Sequence, residues 1–208
     1  MSRLIDISQP VRPGVAGFPG DTVYAESRHF AIGPGCPVNV ARVTMSTHSG
    51  THADAPLHYA EDGEAIGGLE LDAFIGPCRV IDARGGGALC LPDDIDAELD
   101  GVPPRVLLRL AEASDPNVWP SGFRALSATL IGHLAHKGVV LVGIDMPSID
   151  PETSKDLPAH RAALEAGMRI LENLVLAHVA PGDYELIALP IRLADLDAAP
   201  VRAVLRPL

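Results

Sequence analysis

One stretch of the chain, residues 47–58, constrains the fold and the chemistry more than any other. It reads THSGTHADAPLH and holds three histidines and one aspartate in twelve residues. These four residues are His48, His52, Asp54 and His58, so all of them occupy even-numbered positions. Even positions of an extended chain lie on one face of the strand. The stretch can therefore direct three imidazoles and one carboxylate toward one place.

Imidazole and carboxylate groups together are ligands for zinc and similar transition metals. In a fully extended chain, the Cα atoms of His48 and His52 would be about 13 Å apart at ~3.3 Å per residue. That separation is marginal for two ligands of one ion, so the chain must curl, which Gly50 allows. Pro56 argues against a helix, and we predict a bent strand-to-loop segment. Asp54 lies between two histidines, and its two oxygens could bridge two metals.

A structural role for these histidines is the alternative. Histidines often cap turns or lie hydrogen-bonded in a core, and a single one would favour that interpretation. Four metal-compatible groups on one face are harder to explain in this way. The residue types and spacing therefore favour a metal site.

Length and charge limit the class of protein. A chain of 208 residues is the size of one domain, and we assign 1–208 to it. The net charge of −11 disfavours nucleic acid and anionic membranes as partners, and no apolar run approaches a membrane span. The first residues show no signal core, and three cysteines without CxxC spacing favour a reducing compartment, so we expect a cytoplasmic protein.

The hydrophobic pattern predicts an α/β fold. Strands are predicted at 4–7, 38–45, 78–82, 105–110, 139–144, 185–189 and 201–205, and helices at 91–99, 127–137 and 158–167. The strands and helices are mixed without strict alternation. We therefore expect one domain with a mixed, barrel-like sheet flanked by helices.

Glu172 is the most unusual residue of the C-terminal half, because apolar residues enclose it in the sequence. A carboxylate in such surroundings is costly unless it is paired or binds a metal. On one continuous helix His160 and Glu172 would be ~18 Å apart. Gly167 offers a helix stop, after which an extended segment could fold back and bring the two residues together.

Other polar and aromatic groups leave two interpretations open. Asp145, at the end of a buried strand, could support a site or simply hold its turn. His133 and His136 are one helical turn apart, which is more typical of surface histidines near a helix end than of a second metal site. Phe18, in a loop rich in glycine and proline, could line a pocket or close the edge of the core.

Residues 48–58 resemble the HxGTHxDAPxH signature of the cyclase-like metal-dependent hydrolases. Flanking segments extend the resemblance over nearly the whole chain and are similar to the bacterial kynurenine formamidases (arylformamidases) within that superfamily. Those segments include FPGDT at 18–22, PVNVAR at 37–42, GID at 143–145, PGDYELIALP at 181–190 and PVRA at 200–203. The resemblance implies the cyclase-like swivelling β/α fold.

This resemblance also implies an activity and a set of metal ligands. The expected reaction is hydrolysis of N-formyl-L-kynurenine to L-kynurenine and formate, by a homodimer with two zinc ions per subunit. By position, His48, His52 and Asp54 should hold the first zinc. Asp54 should bridge to the second zinc, which His160 binds, and Glu172 should contact both. Mn²⁺, Co²⁺ or Fe²⁺ could occupy the same ligands.

Two further residues receive roles from the resemblance. His58 should transfer the proton, taking it from the attacking water and giving it to the leaving arylamine nitrogen. The attacking water would be activated by the metal, which can lower the pKa of water from 15.7 to roughly 7. A serine mechanism is not expected, because the chain has no GxSxG motif. Phe18 should form a wall for the aromatic substrate, at a position where the family usually has tryptophan.

Two other functions compete with this prediction. One is another metal-dependent amidase, lactamase or cyclase of the same superfamily, acting on a different small amide or ester. The second is a metal-binding or structural protein that kept the fold. The presence of His58 beside a complete set of candidate ligands argues against the second.

Overall fold

The computed structural model describes residues 4–113 and 115–208. In these residues the strands and helices are, in order, β1 (Ile5–Asp6), β2 (Ala25–Phe30), β3 (Val40–Thr44), β4 (His52–Asp54), β5 (Ile75–Asp82), β6 (Leu89–Cys90), β7 (Arg105–Arg109), β8 (Ala125–Leu126), α1 (Ala128–His136), β9 (Leu141–Ile144), α2 (Pro158–Ala166), β10 (Arg169–Glu172), β11 (Gly182–Ile187), β12 (Ala198–Pro200) and β13 (Val204–Pro207). Short 3-10 helices lie at Pro56–His58, Ile66–Gly68, Leu71–Phe74, Pro92–Asp94 and Asp96–Glu98.

Nine of the strands form one mixed sheet, in the order β1-β13-β11-β5-β7-β9-β10-β4-β12. The central strands β5, β7, β9 and β10 are parallel, and antiparallel strands flank them on both sides. The pairs β2–β3 and β6–β8 form two separate small sheets. This curled mixed sheet with its helices confirms the predicted fold class.

The core lies on both faces of the large sheet. Val106 and Leu108 of β7 face a cluster that includes the apolar side of α1 and α2, whereas Leu107 between them faces a second cluster on the opposite side. Strands that are covered on both faces need apolar side chains at successive positions. This double burial explains the continuous apolar runs in the central strands.

Three predicted elements differ from the structure. The strand predicted at 38–45 is the shorter β3, which within the described residues pairs only with β2 and is exposed along its whole length. The helix predicted at 91–99 is two 3-10 turns, because the backbone of Ile95 (φ −138°, ψ 4°) leaves the helical region between them. Of the strand predicted at 201–205, only the last two residues belong to a strand. Strand β12 ends at Pro200, and β13 begins at Val204.

The C-terminal half follows the prediction closely. Helix α2 ends at Ala166 and is capped by Gly167, which has the left-handed φ of 64° that favours glycine. The chain then reverses into β10, which runs parallel to β9 and ends with Glu172. The predicted helix stop and extended segment are confirmed, and both deliver residues to the site described below.

Candidate metal centre

Strand β4 places two candidate ligands beside a third on β10. His52 is paired with Glu172 across the antiparallel ladder, and Asp54 is paired with Ile170. His52 and Asp54 point to the same face because they are two residues apart. His48 precedes the strand in a turn that Gly50 permits with a φ of 65°. The predicted bend between His48 and His52 is thus confirmed.

The first group of ligand atoms lies around one oxygen of Asp54. The Oδ1 atom of Asp54 is 3.2 Å from His48 Nδ1 and 3.3 Å from His52 Nε2. The Oε2 atom of Glu172 is 3.4 Å from the same His52 Nε2. Two imidazoles and two carboxylates therefore converge at this corner.

The second group forms around His160, near the beginning of α2. His160 Nε2 is 3.4 Å from Asp54 Oδ2 and 3.7 Å from Glu172 Oε1. Each of the two carboxylates therefore presents one oxygen to the His48–His52 corner and the other oxygen to His160. This arrangement offers two neighbouring positions for cations with two carboxylates between them.

The buried polar atoms test whether a metal fits here. Among the described residues, His52 Nε2 and Asp54 Oδ1 are buried without a hydrogen-bond partner, although they are 3.3 Å apart. Buried polar atoms are normally satisfied, and leaving them unpaired is costly. A cation between these atoms would satisfy both, so the donor set fits a metal ion.

Hydrogen bonds to the opposite ring nitrogens fix the orientation of two histidines. The Nδ1 of His52 donates to the backbone oxygen of Gly50 at 2.8 Å, and the Nδ1 of His160 donates to Asp150 Oδ2 at 2.8 Å. Asp150 also accepts the backbone N–H groups of Ala159 and His160. Once its ring is neutral, each histidine has an Nε2 lone pair that faces the carboxylates, as metal-binding histidines require.

The carboxylates determine the protonation of this centre without metal. Burial lowers the pKa of His52, but the neighbouring Asp54 and Glu172 outweigh burial and raise it to about 10. Burial likewise opposes the effect of Asp150 and Asp54 on His160, whose pKa is also raised to about 10. For Asp54, burial is outweighed by the surrounding imidazoles, which hold its pKa well below the usual range. Positive charge is therefore favoured at this position.

His58 lies beside these ligands but is more exposed. Its ring centroid is 4.2 Å from that of His48 and 6.0 Å from that of His160, and about a third (34%) of its side chain is exposed. Its Nδ1 is 3.4 Å from Asp197 Oδ2. Asp197 was missed at the level of sequence, because only the pairing of β12 with β4 brings it here.

A cavity of about 380 Å³ opens above the histidines. Phe18 lines it and is 56% exposed, so it does not close the core. Its ring meets Trp119 edge-on at a centroid distance of 5.6 Å, and Trp119 in turn meets Phe123. The indole Nε1 of Trp119 donates to Glu152 at 2.7 Å. Phe18, Trp119 and Phe123 thus form an aromatic wall of the cavity.

The remaining candidates lie outside the ligand groups. Asp145 lines the cavity, but it accepts the backbone N–H groups of Leu110 and Ala111 and so holds the turn, and burial raises its pKa to about 6. His133 pairs with Asp96 on the surface, and the described residues include no metal-ligand group around it. Neither helix in the described part of the chain has the length and apolarity that crossing a membrane requires.

Comparison with known proteins identifies similar chains. The Cyclase family model ("Putative cyclase") matches residues 5–151. A kynurenine formamidase of Bordetella petrii is 52% identical over 208 residues, which is 100% of both chains. A second, from Polaromonas naphthalenivorans, is 51% identical over 206 residues, covering 99% of this chain and 92% of that protein.

Solved structures show the same fold. A predicted metal-dependent hydrolase from Bacillus stearothermophilus is 29% identical, with a TM-score of 0.82 over 99% of this chain and 98% of the other. An isatin hydrolase bound to the product analogue thioisatinate has a TM-score of 0.85 at 20% identity, covering 99% of this chain and 92% of the other. At that identity the likeness concerns the fold alone.

Proposed function

The chain belongs to the Cyclase family, and from that premise we propose that it hydrolyses N-formyl-L-kynurenine to L-kynurenine and formate. Its relatives at 51–52% identity over essentially the full length are named kynurenine formamidase. The reaction belongs to tryptophan degradation through the kynurenine pathway. The chain is a metal-dependent hydrolase, and its cavity takes a small amide.

One observation about the site carries this proposal. Asp54 and Glu172 each direct one oxygen toward His52 and the other toward His160. Two carboxylates shared between two groups of imidazoles suit a pair of metal ions, and hydrolysis of an unactivated amide needs both an activated water and a polarised carbonyl. Metal ions supply both of these when bound, by lowering the pKa of water and by acting as Lewis acids.

The proposed metal is zinc, with two ions per protomer. His48, His52, Asp54 and Glu172 would hold the first ion, and Asp54, His160 and Glu172 the second. Mixed imidazole and carboxylate ligands support zinc, although Mn²⁺, Co²⁺ and Fe²⁺ accept the same donors. The orphaned His52 Nε2 and Asp54 Oδ1 atoms support occupation of the first position.

His58 is proposed to move the proton. It lies next to His48 and His160, and its partial exposure leaves it open to the cavity. In the proposed reaction His58 takes a proton from the attacking water. It then gives the proton to the arylamine nitrogen as the C–N bond breaks, while the hydroxyl stays on the formyl carbon.

Two features of the cavity support an aromatic amino acid as substrate. Phe18 and Trp119 form a wall that suits the flat arylamine ring. Lys155 is the only lysine or arginine among the described residues that line the cavity, and it takes part in none of the ion pairs found in that part of the chain. The α-carboxylate of the substrate is therefore proposed to bind Lys155.

The proposal includes a homodimer in the cytoplasm. The β2–β3 sheet is exposed along both strands, including Phe30, Val40 and Val43, and an isolated two-stranded sheet is marginally stable in water. A second copy of the chain packed on this sheet would cover its exposed apolar side chains and explain its stability. Light scattering should give about twice the chain mass of 21.8 kDa; a mass of one chain would contradict the dimer.

The three free cysteines support the proposed cytoplasmic location, because a reducing compartment keeps thiols unpaired.

The deciding experiment follows absorbance during hydrolysis of N-formyl-L-kynurenine. The protein is assayed as purified, after removal of metal by a chelator, and after zinc is restored. We expect activity to vanish on removal and to return with zinc. Zinc-loaded protein that does not act on this substrate would overturn the proposed function, and a panel of other small amides, lactams and esters would then be assayed.

A further inference from the structure

Asp197 contacts His58, a partly exposed histidine that lines the cavity. Its Oδ2 atom is 3.4 Å from Nδ1 of His58, and within the described chain this is the only side-chain hydrogen bond that His58 makes. The same Oδ2 accepts from His48 Nε2 at 3.0 Å. One carboxylate oxygen therefore touches two neighbouring imidazoles.

The position of Asp197 is itself fixed by the sheet and by a neighbouring hydroxyl. Its backbone oxygen accepts the N–H of Ala55 at 2.9 Å, directly after β4. The next residue, Ala198, is paired with Asp54 across the β4–β12 ladder. The hydroxyl of Thr47 donates to Asp197 Oδ1 at 3.1 Å. A side chain held at both oxygens can orient the ring that it contacts.

The chemistry assigned to His58 needs such a partner. A ring that accepts and returns a proton through one nitrogen must keep its other nitrogen protonated and pointing away from the reacting atoms. His58 is partly exposed and lies in a short 3-10 helix, so the surrounding side chains do not enclose its ring on every side. A carboxylate at Nδ1 fixes the orientation and stabilises the ring while it carries the extra proton.

We propose that Asp197 is a positioning residue, which holds the Nδ1–H form of His58 so that Nε2 faces the cavity and transfers the proton. This inference rests on the proposed function, because it adds a residue to the proton transfer assigned there. The alternative is that Asp197 itself binds metal, since ligand atoms of His48, His58 and Asp197 lie within 4.8 Å of one another. The two roles predict different results when Asp197 is changed.

The kinetic test is a double-mutant cycle measured at saturating zinc. Asp197→Ala should lower kcat by about 10- to 100-fold, the usual effect of removing an orienting carboxylate, with unchanged zinc content and little change in KM. In the His58→Ala background, the same substitution should cost nothing further, because the two residues act as a unit. Asp195→Ala, an exposed carboxylate in the same loop, is the matched control and should retain full activity.

Two results would overturn the proposal. Losses that multiply in the double variant would mean that Asp197 acts independently of His58. Zinc content that falls in both Asp197→Ala and Asp197→Asn would mean that Asp197 serves the metal site, as a ligand or by orienting His48, and not His58. The asparagine variant keeps the size of the side chain, so it provides a folded protein if the alanine variant is unstable.

A second readout does not depend on turnover and separates this inference from the proposed function. In ¹⁵N-histidine NMR spectra of the zinc-loaded protein, the signals of His58 are assigned as those that are missing from the spectrum of His58→Ala. We expect an Nδ1-protonated ring in the unmodified protein and a mixture of tautomers in Asp197→Asn. An unchanged His58 signal would overturn the positioning role even if the enzyme is active. Inactivity of the unmodified protein toward the formamide would overturn only the function.

Discussion

Asp54 is the residue on which both ligand groups depend. Its Oδ1 lies between His48 and His52, and its Oδ2 faces His160. The side chain is buried, with 1% exposure. A neutral amide in the same place would keep the shape but would remove the charge that lies between the two groups.

We expect Asp54→Asn to lose most of its metal. Zinc content, measured by mass spectrometry of the purified protein, should fall from about two ions per protomer to less than one, since a carboxylate ligand is lost at both positions. Near-UV circular dichroism checks that the variant is folded. The control is Asp62→Asn, an exposed aspartate in the following loop, which should keep its zinc. Full zinc occupancy in Asp54→Asn would refute the bridging role.

Lys155 gives a prediction about substrate choice. Lys155→Met should raise KM for N-formyl-L-kynurenine about 10-fold, the value expected for the loss of a hydrogen bond between charged groups. The KM for N-formyl-2-aminoacetophenone, which lacks the amino-acid carboxylate, should stay unchanged. Lys137→Met, at the far end of α1, removes the same charge outside the cavity and should alter neither value. Equal effects of Lys155→Met on both substrates would exclude the carboxylate contact.

The sequence predicted some site residues better than others. His48, His52, Asp54 and His58 are close in the chain, so even spacing was enough to group them. His160 and Glu172 were placed through the family resemblance, because their distance in the chain hides their contact. Asp197 and Trp119 reach the site through long-range packing, and no local pattern marks them.

At the scale of elements, β9 is packed so tightly that one position has no space for a side chain. A Cβ atom on Gly143 would be 2.6 Å from Leu107 Cδ2 and 2.8 Å from Leu174 Cδ1. Gly143 also pairs with Leu171, the residue before Glu172. The packing of β9 therefore supports the strand that carries Glu172.

Gly143→Ala should destabilise the protein by about 1–3 kcal/mol, the cost of forcing an extra methyl group into a packed core. The same substitution at Gly132, inside α1, meets no atom within 4 Å and should stabilise by about 0.5–1 kcal/mol through helix propensity. Urea denaturation of both variants measures the change in the free energy of unfolding, which should have opposite signs. A Gly143→Ala variant with unchanged stability would show that β9 has room to adjust.

Element prediction succeeded where local pattern and tertiary packing agree. The central strands and α2 have clear patterns and are buried as those patterns require. For β3, alternation predicted a strand correctly but could not reveal that it leaves the large sheet to pair with β2. Residues 91–99 have the composition of a helix start, but Pro92 and the turn at Ile95 limit them to 3-10 turns.

At the scale of the whole molecule, metal binding is coupled to pH. The raised pKa values of His52 and His160, about 10 each, mean that both rings are protonated near neutral pH when no metal is present. A metal must displace these protons, so binding releases them and strengthens as the pH rises toward 10. Lowering the pH therefore weakens metal binding already at pH values well above the ordinary pKa of histidine.

We expect zinc affinity to fall about tenfold per pH unit for each displaced proton. Competition with a chromophoric chelator at about pH 6 and about pH 7.5 measures this dependence. The thermal stabilisation by zinc should shrink in parallel at the lower pH. An affinity that is independent of pH over this range would mean that the histidines are already neutral in the metal-free protein.

The metal ligands and the cavity walls come from different parts of the chain. Strands β4 and β10 and helix α2 carry the buried ligands, whereas Phe18, Trp119 and Lys155 stand on three separate loops around the cavity. Changes in those loops leave the hydrogen-bonded ladder under the ligands intact. Evolution, or an engineered loop library, can therefore alter which amide is recognised while the hydrolytic machinery is inherited unchanged.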